Sequence, residues 1–166
     1  MLLLVMGNFS IAQQPDTRGY IVKVGDQVPE FEMSLMDGST VKMSDLRGKV
    51  VMLQFTASWC GVCRKEMPFI ENEIWNVHKN KDFALFGLDR DEPKEKAQKL
   101  IDATKVTYPI VLDEGAKIFT KFAHMESGVT RNVIVDKRGK IVFMTRLYER
   151  EEFNHMKKVI ERLLEK

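Results

Sequence analysis

Apolar residues change period several times along this chain, and the changes mark its elements. "FEMSLMDGSTVKM" (31–43) sets Asp37-Gly38 between two apolar-rich runs, a hairpin pattern whose turn accommodates positive φ. "SDLRG" (44–48) reads as a short turn that Ser44 can cap. "KVVMLQFTA" (49–57) is apolar almost throughout, as a central strand covered on both faces requires. Beyond it, Met67, Ile70, Ile74 and Val77 recur at helical spacing, and Pro68 predicts a kink or break. "FALFGLD" (83–89) is a second buried strand, and "EPKEKAQKLIDATK" (92–105) is an amphipathic helix opened by Glu92-Pro93. A short strand follows at 109–112 and a short helix at 115–122. "RNVIVD" (131–136) and "KIVFMTRL" (140–147) flank Lys137-Arg138-Gly139 and read as an antiparallel pair. The final segment, 149–166, carries Phe153, Met156, Ile160 and Leu163 on one helical face. This order predicts an α/β domain: a mixed sheet with helices on both faces, preceded by a hairpin.

A length of 166 residues suits one domain, and no linker or repeat divides it. The composition, 44% hydrophobic and 30% charged, is that of an ordinary globular chain. With 26 basic and 24 acidic residues, net charge +2, there is no electrostatic basis for nucleic-acid binding. The N-terminus, "MLLLVMGNFSIAQQP", has two readings. Ser10-Ile11-Ala12 fits the small-x-small pattern before a signal cleavage site, although the basic head of a signal peptide is missing. That reading makes 1–12 a signal-peptide remnant, 13–24 a lead-in and 25–166 the domain, and places the protein outside the cytoplasm. The other is an apolar tail packed on the domain. The apolar stretch is too short to span a bilayer, so membrane contact is expected only if it belongs to a longer, uncleaved anchor.

The two cysteines, Cys60 and Cys63, stand in "TASWCGVCRK" (56–65). A structural zinc would need four ligands, and His78, His124 and His155 are scattered at no ligand spacing, so no metal is expected. Haem attachment would want histidine at position 64, which is Arg64. A static disulfide closing so small a loop constrains the unfolded chain little. A redox dithiol remains, the usual meaning of this spacing beside a βαβ pattern. Cys60 ends a strand and begins a helix, where unpaired N–H groups and the helix dipole favour thiolate. Arg64 and Lys65 add positive charge. Cys63 lies one turn on, placed to attack a mixed disulfide at Cys60. Trp59 reads either as a shield and substrate contact beside the pair or as a large core residue. No cofactor is called for.

"FTASWCGVCRKEMP" resembles the active-site stretch of the thioredoxin fold and, more narrowly, that of TlpA/ResA-like thiol-disulfide oxidoreductases. "GDQVPEFEMSLMDGSTVKMSDLRGKVVML" matches their N-terminal hairpin and first central strand, and "VIVDKRGKIV" their late hairpin, so the resemblance runs from about Gly25 to Lys166. It implies a thioredoxin-like three-layer sandwich in which Cys60 attacks and Cys63 resolves. It also implies extracytoplasmic reduction of a protein or small-molecule disulfide, in cytochrome c maturation or thiol repair, with recharging by an upstream thiol reductase. Glu66 stands where this family often has a glutamate that tunes the thiols and shuttles protons; alternatively it is a solvated surface residue. Thioredoxins carry a buried aspartate where this chain has Gln54. The fold's cis-proline position falls on Thr130, which leaves Val129-Thr130 either trans with a shifted loop or cis under strain. Thr130 and Arg131 would then lie near Cys60 as contacts for substrate or thiolate, or be a strand-end threonine and a solvated arginine. Two alternatives stay open. "GDQVPEF" also resembles peroxiredoxins, but Leu53 and Ala57 occupy their proline and threonine positions. A non-enzymatic thioredoxin-fold binding or chaperone module would make the dithiol incidental.

Overall fold

The computed structural model describes residues 18–165; the segment 1–12, expected as a signal-peptide remnant, and the first part of the expected lead-in lie outside the described residues. Among the described residues, seven strands form two sheets. β1 (Glu32–Ser34) and β2 (Thr40–Lys42) make the expected antiparallel hairpin, with Gly38 at φ 88° in its turn. The second sheet runs β5-β4-β3-β6-β7. Its members are β3 (Val50–Thr56), β4 (Phe83–Arg90), β5 (Ile110–Asp113), β6 (Arg131–Val135) and β7 (Ile141–Arg146). β3, β4 and β5 are parallel, while β6 runs antiparallel to both β3 and β7. The hairpin covers the β5 edge through an antiparallel bridge, Leu35 to Val111, and the Met36 N–H donated to the Ile110 carbonyl at 3.0 Å. That protects a strand edge that would otherwise offer unpaired backbone groups.

Alternation along β3 divides the core. Val51, Leu53 and Phe55 face one cluster with the hairpin and with Phe119 and Phe122. Val50 and Met52 face the other, built with α1 (Gly61–Ile70), α3 (Lys94–Thr104) and α4 (Arg150–Leu164). The segment expected as one short helix at 115–122 is two 3-10 turns, Glu114–Ala116 and Phe119–Lys121, because Gly115 and Ala116 both adopt positive φ. At 44–48 the turn is capped by Asp45 rather than Ser44: its carboxylate accepts from the Lys42 N–H at 3.2 Å. α4 buries Phe153, Met156 and Ile160, and Leu163 is half-buried.

Pro68 does not end its helix. α1 widens into a π-turn at Glu71–Trp75 and closes with the one-turn α2 (Asn76–His78). The wider turn rotates the inward face, so His78 is buried where the spacing pointed to Val77, which is exposed. Burial pushes the His78 pKa below its usual value, and Lys81 beside it pushes the same way.

Candidate active site

β3 delivers the redox stretch at its C-terminal end, and α1 starts one residue after Cys60. Cys60 is the N-cap of α1, in extended conformation (φ −87°, ψ 102°), and its sulfur accepts the Cys63 N–H at 3.1 Å. A sulfur in that position satisfies one of the helix's unpaired donors and sits at the positive end of the helix dipole. Cys60 and Cys63 are joined as a disulfide, with Cα atoms 5.3 Å apart. The pair is asymmetric: Cys60 is 7% exposed and Cys63 is 0%. Trp59, 61% exposed, is no core residue; with Val62 it leaves apolar surface beside the disulfide.

Thr130 closes the site from the far side of the chain. Its Oγ1 lies 3.1 Å from Cys60 Sγ and 3.3 Å from Cys63 Sγ. The peptide bond before it is trans; no cis bond occurs among the described residues. A threonine without the proline ring thus brings a hydroxyl, not a methylene, to both sulfurs.

Arg131 corrects the sequence reading. It is neither solvated nor turned to the sulfurs by the contacts seen: it is fully buried. Its Nε donates to the Gly128 carbonyl at 3.1 Å and its Nη2 to the Arg18 carbonyl at 2.9 Å, with the guanidinium 4.4 Å from the Tyr20 ring centroid. A buried guanidinium needs acceptors, and these carbonyls assign it to anchoring the N-terminal segment.

Glu66 is not a solvated surface residue. It is 1% exposed, and its Oε1 accepts from Asn132 Nδ2 at 2.7 Å. Burial pushes its pKa up to about 8, against the opposing hydrogen bond from Asn132; Glu152 pushes the same way as burial, and the Gln54 amide opposes it. Asn132 also donates to Thr145 Oγ1 at 2.9 Å, and Gln54 accepts from the Tyr108 hydroxyl at 2.7 Å. β3 and β6 pair Gln54 with Asn132 in register, so both amides stand on the sheet face that α1 covers. The carboxyl is therefore a proton holder near neutral pH, three residues past Cys63 on the same helix. Asn132 was not singled out from the sequence, although a polar residue inside the apolar run "RNVIV" was its signal. Among the described residues, no cluster of histidine, cysteine or carboxylate side chains suits a metal ion.

Comparison with known proteins agrees with this geometry. The Redoxin family pattern matches residues 23–160. The thiol-disulfide oxidoreductase ResA of Bacillus cereus is 30% identical over 121 residues, covering 73% of this chain and 68% of that protein. A solution structure from Bacteroides thetaiotaomicron, named as a candidate protein disulfide isomerase, is 58% identical with TM-score 0.87, covering 89% of this chain and 94% of that one. The thioredoxin domain of a thiol-disulfide oxidoreductase from Bacteroides vulgatus is 26% identical with TM-score 0.71, covering 84% of this chain and 99% of that domain.

Proposed function

Because the chain belongs to the Redoxin family and is a thioredoxin-like thiol-disulfide oxidoreductase of the TlpA/ResA type, we propose that Cys60 attacks, Cys63 resolves and the working direction is reduction of a substrate disulfide. The Cys60 thiolate attacks one substrate sulfur; a mixed disulfide forms and the other substrate sulfur leaves as thiolate. The Cys63 thiolate then attacks Cys60 Sγ, expelling the second substrate thiolate and closing the Cys60–Cys63 bond. Two electrons pass to the substrate, and the protons of the two cysteines end on its thiols. The observation that carries this assignment is the asymmetry of the pair: Cys60 caps the helix and is the sulfur with exposure, whereas Cys63 is fully enclosed.

The neighbours have roles in the same scheme. Thr130 Oγ–H, within reach of both sulfurs, donates to whichever becomes thiolate. Glu66 relays the proton of the resolving thiol: its ionised form accepts that proton, and a carboxyl whose pKa stands at about 8 exchanges between its two forms close to neutral pH. Trp59 and Val62 supply apolar contact to the substrate around the disulfide. The N-terminal "MLLLVMGNFSIAQ" supports an extracytoplasmic setting, and there the reduction serves thiol repair or cytochrome c maturation, with an upstream thiol reductase as electron donor. Partners are then proteins or small molecules carrying disulfides.

Insulin reduction tests the assignment. Cys60→Ser should abolish turnover, and Cys63→Ser should accumulate mixed disulfide at Cys60. Equal turnover by wild type and Cys60→Ser refutes the nucleophile. Hydrogen peroxide consumption comparable with insulin reduction would instead support a peroxidase.

A further inference from the structure

A buried acid outside the dithiol network lacks any donor. Asp89, near the end of β4, is 0% exposed, and neither of its carboxyl oxygens receives a hydrogen bond. Its register partner on β3 is Thr56, which is uncharged and directs its hydroxyl at the Met67 sulfur of α1. Asp89 faces another carboxyl, that of Glu92 three residues on, whose negative charge favours a protonated Asp89. Two carboxylates cannot hydrogen-bond each other, so a bond between them requires that one keep its proton. A carboxylate buried without a donor is strongly disfavoured in its ionised form.

Glu92 is also the residue that holds the redox loop. One of its oxygens accepts the Ser58 N–H at 2.5 Å and the other accepts the Ser58 hydroxyl at 2.6 Å. Ser58 stands two residues before Cys60, in the turn closed by the Cys60 N–H to the Ala57 carbonyl at 3.1 Å. Thus a single carboxylate clamps the loop that presents Cys60, and Asp89 stands behind that carboxylate.

We propose that a protonated Asp89 and Glu92 together act as positioning residues for the redox loop, through Ser58. While Asp89 is protonated, it donates to Glu92 and aligns its oxygens on Ser58. When Asp89 ionises, two negative charges face each other, the pair separates and the hold on Ser58 weakens. The charged groups around Asp89 favour the protonated form: Glu92 from the turn after β4 and Asp113 from the end of β5. Asp113 in turn accepts from the Ile118 and Phe119 N–H groups and faces Asp91 and Arg90. Burial, with these two carboxyls, raises the Asp89 pKa to about 7, so the clamp responds in the neutral range. The functional consequence rests on the reading of Cys60 as the attacking sulfur; the clamp itself does not.

Nuclear magnetic resonance of the full oxidised chain between pH 5 and 9 tests the proposal. The Ser58 amide proton should move with the midpoint of the Asp89 carboxyl carbon. In Asp89→Asn the side-chain amide still donates to Glu92, so the Ser58 signal should keep its low-pH position and lose its titration. Asp89→Ala should shift that signal at every pH and slow insulin reduction severalfold, with Asp89→Asn restoring the rate. A Ser58 amide that does not titrate in wild type, or titrates identically in Asp89→Asn, overturns the proposal. The wild-type titration decides even if Asp89→Ala fails to fold. It is read in the disulfide-bonded protein, so an active Cys60→Ser variant would refute the nucleophile while leaving this result intact.

Discussion

Replacing Glu66 by glutamine should stabilise the protein, and by more as pH rises. The carboxyl is held in a nearly dry site where its pKa stands at about 8, against 4.5 for a solvated glutamate. Between those values the native state keeps a proton that the unfolded chain has released, so wild-type stability falls with rising pH by about 1.4 kcal/mol per unit. At pH 7 the span is 2.5 units, a penalty of roughly 3 kcal/mol relative to acid conditions. The loss levels off above about pH 8, where both states are ionised. Glutamine has the same shape, its carbonyl can still accept from Asn132 Nδ2, and it carries no proton to lose. Other raised acids, Asp89 and Asp113, are present in both proteins and cancel in the comparison. Urea unfolding of the two oxidised proteins at pH 5, 7 and 8.5 measures the difference. It should be small at pH 5 and grow to a few kcal/mol at pH 7 and above. A difference that stays constant across the three values would refute the claim that Glu66 is protonated in the native state near neutrality, and with it the proton-carrier role.

Two further outcomes follow from packing and charge. Phe119 is fully buried and lies edge-on to Phe55, with ring centroids 5.6 Å apart, so Phe119→Ala should cost about 3–5 kcal/mol in denaturant unfolding. Glu73 accepts from Arg150 at 2.8 Å and from Lys157 at 2.6 Å, linking α4 to the π-turn. Those bonds hold its pKa at about 2, below the 4.5 of a solvated glutamate, so its contribution is present above pH 4.5 and lost as pH falls toward 2. Because the carboxylate is partly solvated, Glu73→Gln should cost no more than about 1 kcal/mol at pH 7, read by the same unfolding assay, and nothing near pH 2.

Most of the strands and helices were legible because each is written in a short window. Val50–Thr56 is apolar throughout, as a strand buried on both faces must be, and Asp37-Gly38 supplies the turn of the hairpin. Val77 shows where a window misleads: its spacing is right for a regular helix, but the π-turn after Pro68 passed the inward position to His78. The two cysteines and their place at a strand-to-helix junction could be read locally too, since the N-cap position depends only on the neighbouring chain. What surrounds them could not. Thr130 meets both sulfurs from 70 and 67 residues away, and Asn132 meets Glu66 from 66 residues away. Both contacts exist because β6 lies beside β3 in the sheet, an order that no local pattern encodes. Arg131 adjoins Thr130 in sequence, yet alternation along β6 sends neighbouring side chains to opposite faces, so one touches the disulfide and the other braces Tyr20. The chain by itself determined the redox chemistry, because two thiols at this spacing have few other uses; the tertiary structure decided which acids sit dry enough to hold protons beside them, because desolvation depends on everything packed around a carboxyl rather than on its own identity.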